Sequence, residues 1–210
     1  MSRRRRTAIF CLCSLAAVLL FFLDHSPISR WLKYRPKSET KAKAYDLKKY
    51  HAKIFTVINV VDGDTVDIDV PDANNNHTRI RLWGIDTPET KHPEFGIMYD
   101  MYFGPQAAEF TKNLTLGKPV TVYLDETRTR GYYGRLLAYV LLPDGRFLNE
   151  VLVAEGFAYS DLRFDHSFYS KYKQLEASTR SAKKGLWKNV TRRQLPEWLQ
   201  RKKPTLLLNK

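Results

Sequence analysis

Residues 81–92 read RLWGIDTPETKH, and the way this run ends decides how the chain is read. An apolar core of Leu82, Trp83 and Ile85 stops abruptly at Asp86, Thr87, Pro88 and Glu89, with Arg79 and Arg81 on the approach. One carboxylate ends a strand without further comment. Two carboxylates held apart by a proline and preceded by an arginine suggest instead a metal ligand, a base and a cation gathered in one place. Pro88 restricts the backbone of Thr87 to extended geometry, which aims its carbonyl and separates Asp86 from Glu89.

Working outward, the elements on either side are short strands. Residues 54–61 have strand-like apolar content, and Asp62-Gly63-Asp64 then turns the chain. TVDIDV (65–70) alternates apolar and polar with period two, the pattern of a half-buried strand. PDANNNH (71–77) is a turn, and residues 78–85 form a third strand completing a meander. After a loop over 86–103, Gly104-Pro105 opens a helix that ends at Gly117. Residues 119–124 and 135–142 read as the fourth and fifth strands. Helices follow at about 148–155 and 167–184, each stopped by glycine. Five short strands with a helix between the third and fourth suit an α+β fold, a five-stranded Greek-key barrel of the OB type with about three helices.

The charge is unevenly distributed. The chain has 210 residues and a net charge of +13, yet residues 1–50 hold 12 basic against 3 acidic side chains, and residues 191–210 hold 6 against 1. Residues 51–190 hold 17 against 18, so the overall basicity does not by itself make the central domain a polyanion binder. Both cysteines, Cys11 and Cys13, lie near the N-terminus, which excludes a disulfide, a thiolate metal site or a cysteine nucleophile in the centre.

Residues 1–7 form a basic n-region, with arginines at 3–6, and residues 8–23 (AIFCLCSLAAVLLFFL) an uncharged apolar run. No small-x-small cleavage site follows. The expectation is an uncleaved signal anchor, a membrane helix with the bulk of the chain outside the cytoplasm; secretion after signal-peptide cleavage is the rival. Residues 24–50 read as a Lys-rich linker able to lie on anionic lipid. Residues 191–210 read as a basic, solvated tail with a possible short helix over 195–201. Nothing argues for an oligomer, and a monomer is expected.

A hard cation prefers oxygen ligands, and the turns at 62–64 and 86–89 supply carboxylates and a backbone carbonyl. Arg81 and Arg135 beside such a cation would suit a phosphoryl group on which charge accumulates during attack. The bland reading of these arginines is pairing with surface acids.

Six stretches then fall in register: VVDGDTVDI (60–68), RLWGIDTPETKHP (81–93), FGPQAAEFTK (103–112), YYGRLLAYV (132–140), LNEVLVAEGFAY (148–159) and KKGLW (183–187). In order and spacing they resemble the staphylococcal nuclease (thermonuclease) family, over residues 51–190. The resemblance implies a Ca²⁺-dependent nuclease that cuts DNA and RNA, preferably single-stranded or unpaired, with little sequence specificity. The 5′-P–O bond breaks and 3′-phosphate ends remain. It implies Asp64 and Asp86 as carboxylate ligands of Ca²⁺, with the Thr87 carbonyl as a third ligand and Asp62 behind them. It implies Glu89 as the base that orients or deprotonates water, Arg81 and Arg135 as the phosphate grips, and Tyr133 as a hydrogen-bond donor to a terminal phosphate. The alternative is a catalytically weak, membrane-tethered nucleic-acid-binding module. Such modules usually lack the equivalents of Glu89, Arg81 or Arg135, and all three are present.

The chain departs from the family pattern in two places. Gly131 and Tyr132 stand where the family often has an acid and a lysine before its Tyr-Gly-Arg motif, leaving Arg128 or Arg130 as substitutes. Leu162 and Phe164 stand where two tyrosines flank the nucleotide base, so base stacking is expected to be weaker, by about 1–3 kcal/mol for each missing stack. Tyr159 and Phe157 read as core residues, His92 as a turn residue, and His166 as a residue at a helix start.

Overall fold

The structure, a computed structural model, describes residues 37–207. The expected membrane anchor at 8–23 lies outside the described residues. Among the described residues, no helix is long and apolar enough to cross a membrane. Residues 45–210 form one compact unit, and the other unit, Met1–Ala44, contributes to the described residues only the first turns of one helix.

In chain order the elements are α1 (Lys37–Tyr50), β1 (Lys53–Asp62), β2 (Thr65–Ile68), β3 (Thr78–Leu82), β4 (Ile85–Asp86), α2 (Gly104–Thr115), β5 (Pro119–Leu124), β6 (Leu136–Leu141), α3 (Leu148–Ala154), β7 (Tyr159–Ser160), α4 (Tyr169–Ser181) and α5 (Glu197–Lys202). Five strands close a barrel in the order β1-β2-β3-β6-β5, and β4 pairs with β7 in a separate two-stranded ribbon. The arrangement is the expected OB-type barrel with helices around it. Closure depends on β1. Its N-terminal half pairs with β5 and its C-terminal half with β2, and register irregularities at Val57–Asn59 and Val60–Asp62 mark where the strand bends between them. The parallel pairing of β3 with β6 completes the circle.

Val57, Val66, Ile68, Ile80, Val122, Leu136 and Val140 fill the barrel, and Leu148, Leu152 and Tyr172 join the same core from α3 and α4. Asn149 ties α3 to the sheet: its side-chain carbonyl accepts from Val140 N (3.0 Å), and its amide donates to the Trp83 carbonyl (3.0 Å). That bond fixes the turn leading into the acidic run.

Four elements differ from the sequence reading, each for a physical reason. First, residues 78–85 are not one strand. The chain leaves β3 at Leu82, turns through Gly84 at φ +81°, and re-enters as β4. Asp86 is thereby placed on a different ribbon from Arg81, and a Cβ at Gly84 would overlap the His166 ring. Gly84→Ala is accordingly expected to cost about 2–4 kcal/mol, from left-handed backbone and overpacking together. Denaturant unfolding measures this, and an unchanged midpoint would contradict the packing described.

Second, β2 is buried on both faces. Asp67 goes inside because Arg79 grips both of its carboxylate oxygens (2.8 and 3.0 Å) and Asn59 donates to one of them (3.0 Å). These bonds hold the Asp67 carboxyl below its usual range against the opposing effect of burial. Third, residues 37–50 are helical, and the last turn of α1 packs on the barrel. Tyr50 is fully buried and shares a 3.1 Å hydrogen bond with Thr78. Arg130 is held by Asp46 (2.7 Å) and by Asp72. Fourth, residues expected as a solvated tail fold back. Leu195, Trp198 and Leu199 join Tyr159, Leu186, Trp187 and Val190 in a second buried cluster.

Candidate active site

The two turns that carry the acids meet at Asp64. Its side chain is fully buried. One oxygen accepts from the Thr87 amide at 2.7 Å, and the other accepts from the Thr65 hydroxyl at 3.1 Å and from the Arg81 guanidinium. Behind it, the Asp62 carboxylate accepts from the Asp64 amide at 3.0 Å. Arg81, from β3, also binds Asp86 at the end of β4. Two carboxylates, one from the turn between β1 and β2 and one from the end of β4, therefore converge on one guanidinium. Burial pushes the Asp64 carboxyl up; Arg81 pulls it down, while Asp62, Asp86 and Glu89 push it further up. Arg81 stays protonated, since the surrounding acids outweigh its own burial. Among the described residues, no three histidine, cysteine or acidic side chains gather as a ready-made metal cluster. The candidate set is two carboxylates bridged by Arg81, with backbone nearby.

Glu89 is placed by packing of the main chain. Met101 N donates to the Glu89 carbonyl at 2.9 Å. Gly104, the first residue of α2, lies so close that a Cβ there would run into that same carbonyl. This is the structural reason for the Phe103-Gly104-Pro105 sequence. The Glu89 carboxylate itself accepts no hydrogen bond from the described residues. Burial, then Asp62, pushes its carboxyl above the ordinary range.

Arg135 lies just before β6. Among the described residues it forms no ion pair; its guanidinium sits 5.9 Å from the centre of the Tyr133 ring. Burial, then Arg81, pushes its pKa below the ordinary value. Arg135, Glu89, Asp62 and Tyr133 line one cavity of about 840 Å³ that runs on past His77 and Arg79. Tyr133 is strongly exposed, beside Tyr132. The structure thus assembles Asp62, Asp64, Arg81, Asp86, Thr87, Glu89, Tyr133 and Arg135 around one region.

The possible substitutes for the family's lysine fare differently. Arg130 is committed to Asp46 and Asp72, so it is not available to a ligand. Arg128 is freer: its Nε donates to the Arg130 carbonyl (2.9 Å) and its guanidinium lies 5.9 Å from the centre of the Phe164 ring. Leu162 packs inward on the second core, whereas Phe164 is exposed and lies against Trp83 (ring centres 5.5 Å apart). Phe157 stacks on Phe110 and Tyr159 is fully buried, both as core residues. His92 bonds with the Thr90 hydroxyl (2.9 Å) and the Val61 carbonyl (3.2 Å), and His166 is buried beside Tyr139.

Two partners of Asp86 were missed in the sequence. Trp198 donates its indole N–H to one Asp86 oxygen at 2.7 Å, and Arg163 donates to the other at 2.9 Å. The clue to Trp198 was the apolar spacing of Leu195, Trp198 and Leu199 within a basic segment. A second cavity of about 730 Å³, bordered by Arg180, Lys183, Lys202 and Lys203, lies apart from these groups, and both Arg180 and Lys203 are engaged by Glu176.

A family profile described as staphylococcal nuclease homologue matches residues 79–189. The thermonuclease of Staphylococcus hyicus is 32% identical over 148 residues, 70% of this chain and 83% of the relative. An uncharacterized endonuclease of Escherichia coli O157:H7 is 34% identical over 146 residues, 69% of this chain and 82% of the relative. The SPbeta prophage-derived endonuclease YokF of Bacillus subtilis (strain 168) is 32% identical over 134 residues, 63% of this chain and 43% of the relative. The profile spans more than half of the sequence, from β3 past α4 to residue 189, and on that ground the chain belongs to the staphylococcal nuclease family.

Proposed function

We propose that the protein is a Ca²⁺-dependent endonuclease that hydrolyses DNA and RNA, unpaired strands first, with little sequence preference. The names of its relatives, thermonuclease and endonuclease, support the reaction class. One observation carries the reading. Arg135 has no acid partner and Glu89 has no donor among the described residues, although the two line one cavity and Asp64, Asp86 and Arg81 beside them are all engaged. A half-buried guanidinium left without an anion is costly unless a ligand provides one, and a phosphate diester does.

In this reading Glu89 takes a proton from water, and the water oxygen bonds to phosphorus. The P–O bond to the 5′-oxygen breaks with its electron pair, and that oxygen is protonated to a hydroxyl, leaving a 3′-phosphate on the other product. Arg81 and Arg135 offset the charge growing on the phosphoryl oxygens, and Arg135 also donates to the departing 5′-oxygen. Tyr133 donates to a terminal phosphate. The donor set suits a hard cation, because carboxylate oxygens from two separate segments of the chain already converge on one positive group. Asp64, Asp86 and the Thr87 carbonyl would hold Ca²⁺, with Asp62 behind, and the cation when bound draws charge from a phosphoryl oxygen. Phe164 offers one stacking face for a base, and Leu162 offers none. The protein acts as a monomer outside the cytoplasm, tethered by residues 8–23. The uncharged apolar run after basic residues supports that placement, and resistance of the domain to protease added to intact cells would contradict it.

The observation itself is tested with Arg135→Gln. Arg135 is in no ion pair among the described residues, so its loss is expected to lower kcat by about 10²–10³-fold while the unfolding midpoint in chelator stays where it was. Wild-type kcat in this variant would remove the basis of the proposal.

A further inference from the structure

We infer that Trp198, on the C-terminal segment, is a positioning residue for Asp86 that tightens the site's hold on its divalent cation. The inference rests on the function proposed above and concerns a residue beyond the family match, which ends at 189. Asp86 sits on a strand of only two residues, so its backbone offers little to fix the carboxylate. The fixing comes from elsewhere. The Trp198 indole N–H holds one oxygen at 2.7 Å, while the other faces Arg81 and Arg163.

The two kinds of donor differ in consequence. A guanidinium at Asp86 brings a positive charge that competes with a cation for the same oxygen. An indole N–H brings none, so it fixes the carboxylate's rotation and leaves its negative charge available. The indole is itself immobilised. Trp198 is 8% exposed, Leu195 and Leu199 pack in the same cluster, and the Arg163 guanidinium lies 4.6 Å from the centre of its ring. Arg163 is in turn gripped by Asp161, with bonds of 2.9 and 2.8 Å. Farther along the segment, Lys203 donates at 2.6 Å to Glu176, whose second oxygen accepts from Ser160 N on β7, the partner strand of β4. The segment is thus tied to the Asp86 ribbon at two points.

The test uses the full-length chain with Trp198→Phe, which keeps a buried aromatic ring and removes only the donor. Calorimetric titration with Ca²⁺ alone, without nucleic acid, is expected to show affinity weakened about tenfold, the usual scale for losing such a partner. The Ca²⁺ concentration for half-maximal cleavage should rise in parallel, with kcat at saturating Ca²⁺ largely retained. Leu199→Ala loosens the packing around the indole but keeps its N–H donor, and should weaken Ca²⁺ binding less than Trp198→Phe does. Unchanged Ca²⁺ affinity in folded Trp198→Phe, with wild-type cleavage intact, would overturn this inference and leave the nuclease reading standing. A wild-type protein that neither binds Ca²⁺ nor cleaves would overturn both. Should Trp198→Phe fail to fold, the wild-type Trp198 indole N–H resonance decides: Ca²⁺ shifts it if Asp86 is a ligand held by that bond, and an unmoved resonance contradicts the inference.

Discussion

Glu89→Gln is expected to lower kcat on single-stranded DNA by about 10³-fold, within the range typical of losing a general base. Glutamine matches the shape of glutamate and cannot accept the proton from water. The Glu89 carboxylate receives no hydrogen bond from the described residues, so the substitution breaks no bond they make. KM and Ca²⁺ affinity should consequently move far less than kcat, the pattern of an interaction made only in the transition state. Stability should hold or rise slightly. The native carboxylate is disfavoured by burial and then by Asp62, and the neutral amide escapes both effects. Single-turnover cleavage and denaturant unfolding, measured on the same preparations, check both halves. A variant that cuts at the wild-type rate would move the base elsewhere.

Arg81→Met carries the second large effect, and here stability and activity fall together. Arg81 is the guanidinium on which Asp64 and Asp86 converge, and Asp64 is fully buried. Breaking a buried pair from one side leaves an uncompensated charge, at a cost of about 3–5 kcal/mol. In chelator the variant should unfold at correspondingly lower urea. Ca²⁺ should restore more stability to the variant than it adds to wild type, because it replaces the missing positive charge at the same carboxylates. The kcat should still fall by about 10²-fold or more, since the cation does not reproduce the phosphate grip. Unfolding of the variant at the wild-type midpoint in chelator would contradict the pairing that organises the site.

The barrel was legible because its strands carry local marks. Alternation, the turns at 62–64 and 71–77, and Gly104-Pro105 announced β1, β2, β3 and α2 within a few residues. Residue identity also marked the acids and arginines of the site, and the resemblance in six stretches supplied their roles. What stayed hidden was long-range. The break at Gly84 depends on His166 pressing against that turn, about eighty residues away. Asp67 is inside because Arg79 reaches across from the neighbouring strand, and no pattern within TVDIDV says so. Arg130 looked like a free cation until the Asp46 of α1 came within reach. In the C-terminal segment, Leu195, Trp198 and Leu199 had helical spacing, but the surrounding basic residues made solvation the simpler reading. Trp198 reveals its part only when Asp86, 112 positions earlier, is seen against it.

The central claim is that these residues hydrolyse nucleic acid with the help of a divalent cation. The most direct measurement incubates the full-length chain with single-stranded DNA in Ca²⁺ and in chelator, and determines both the extent of cutting and the chemistry of the new ends. The account predicts cleavage in Ca²⁺, none in chelator, and 3′-phosphate termini on the products. DNA that is bound but left whole in Ca²⁺ would contradict it and leave a nucleic-acid-binding protein on a nuclease fold.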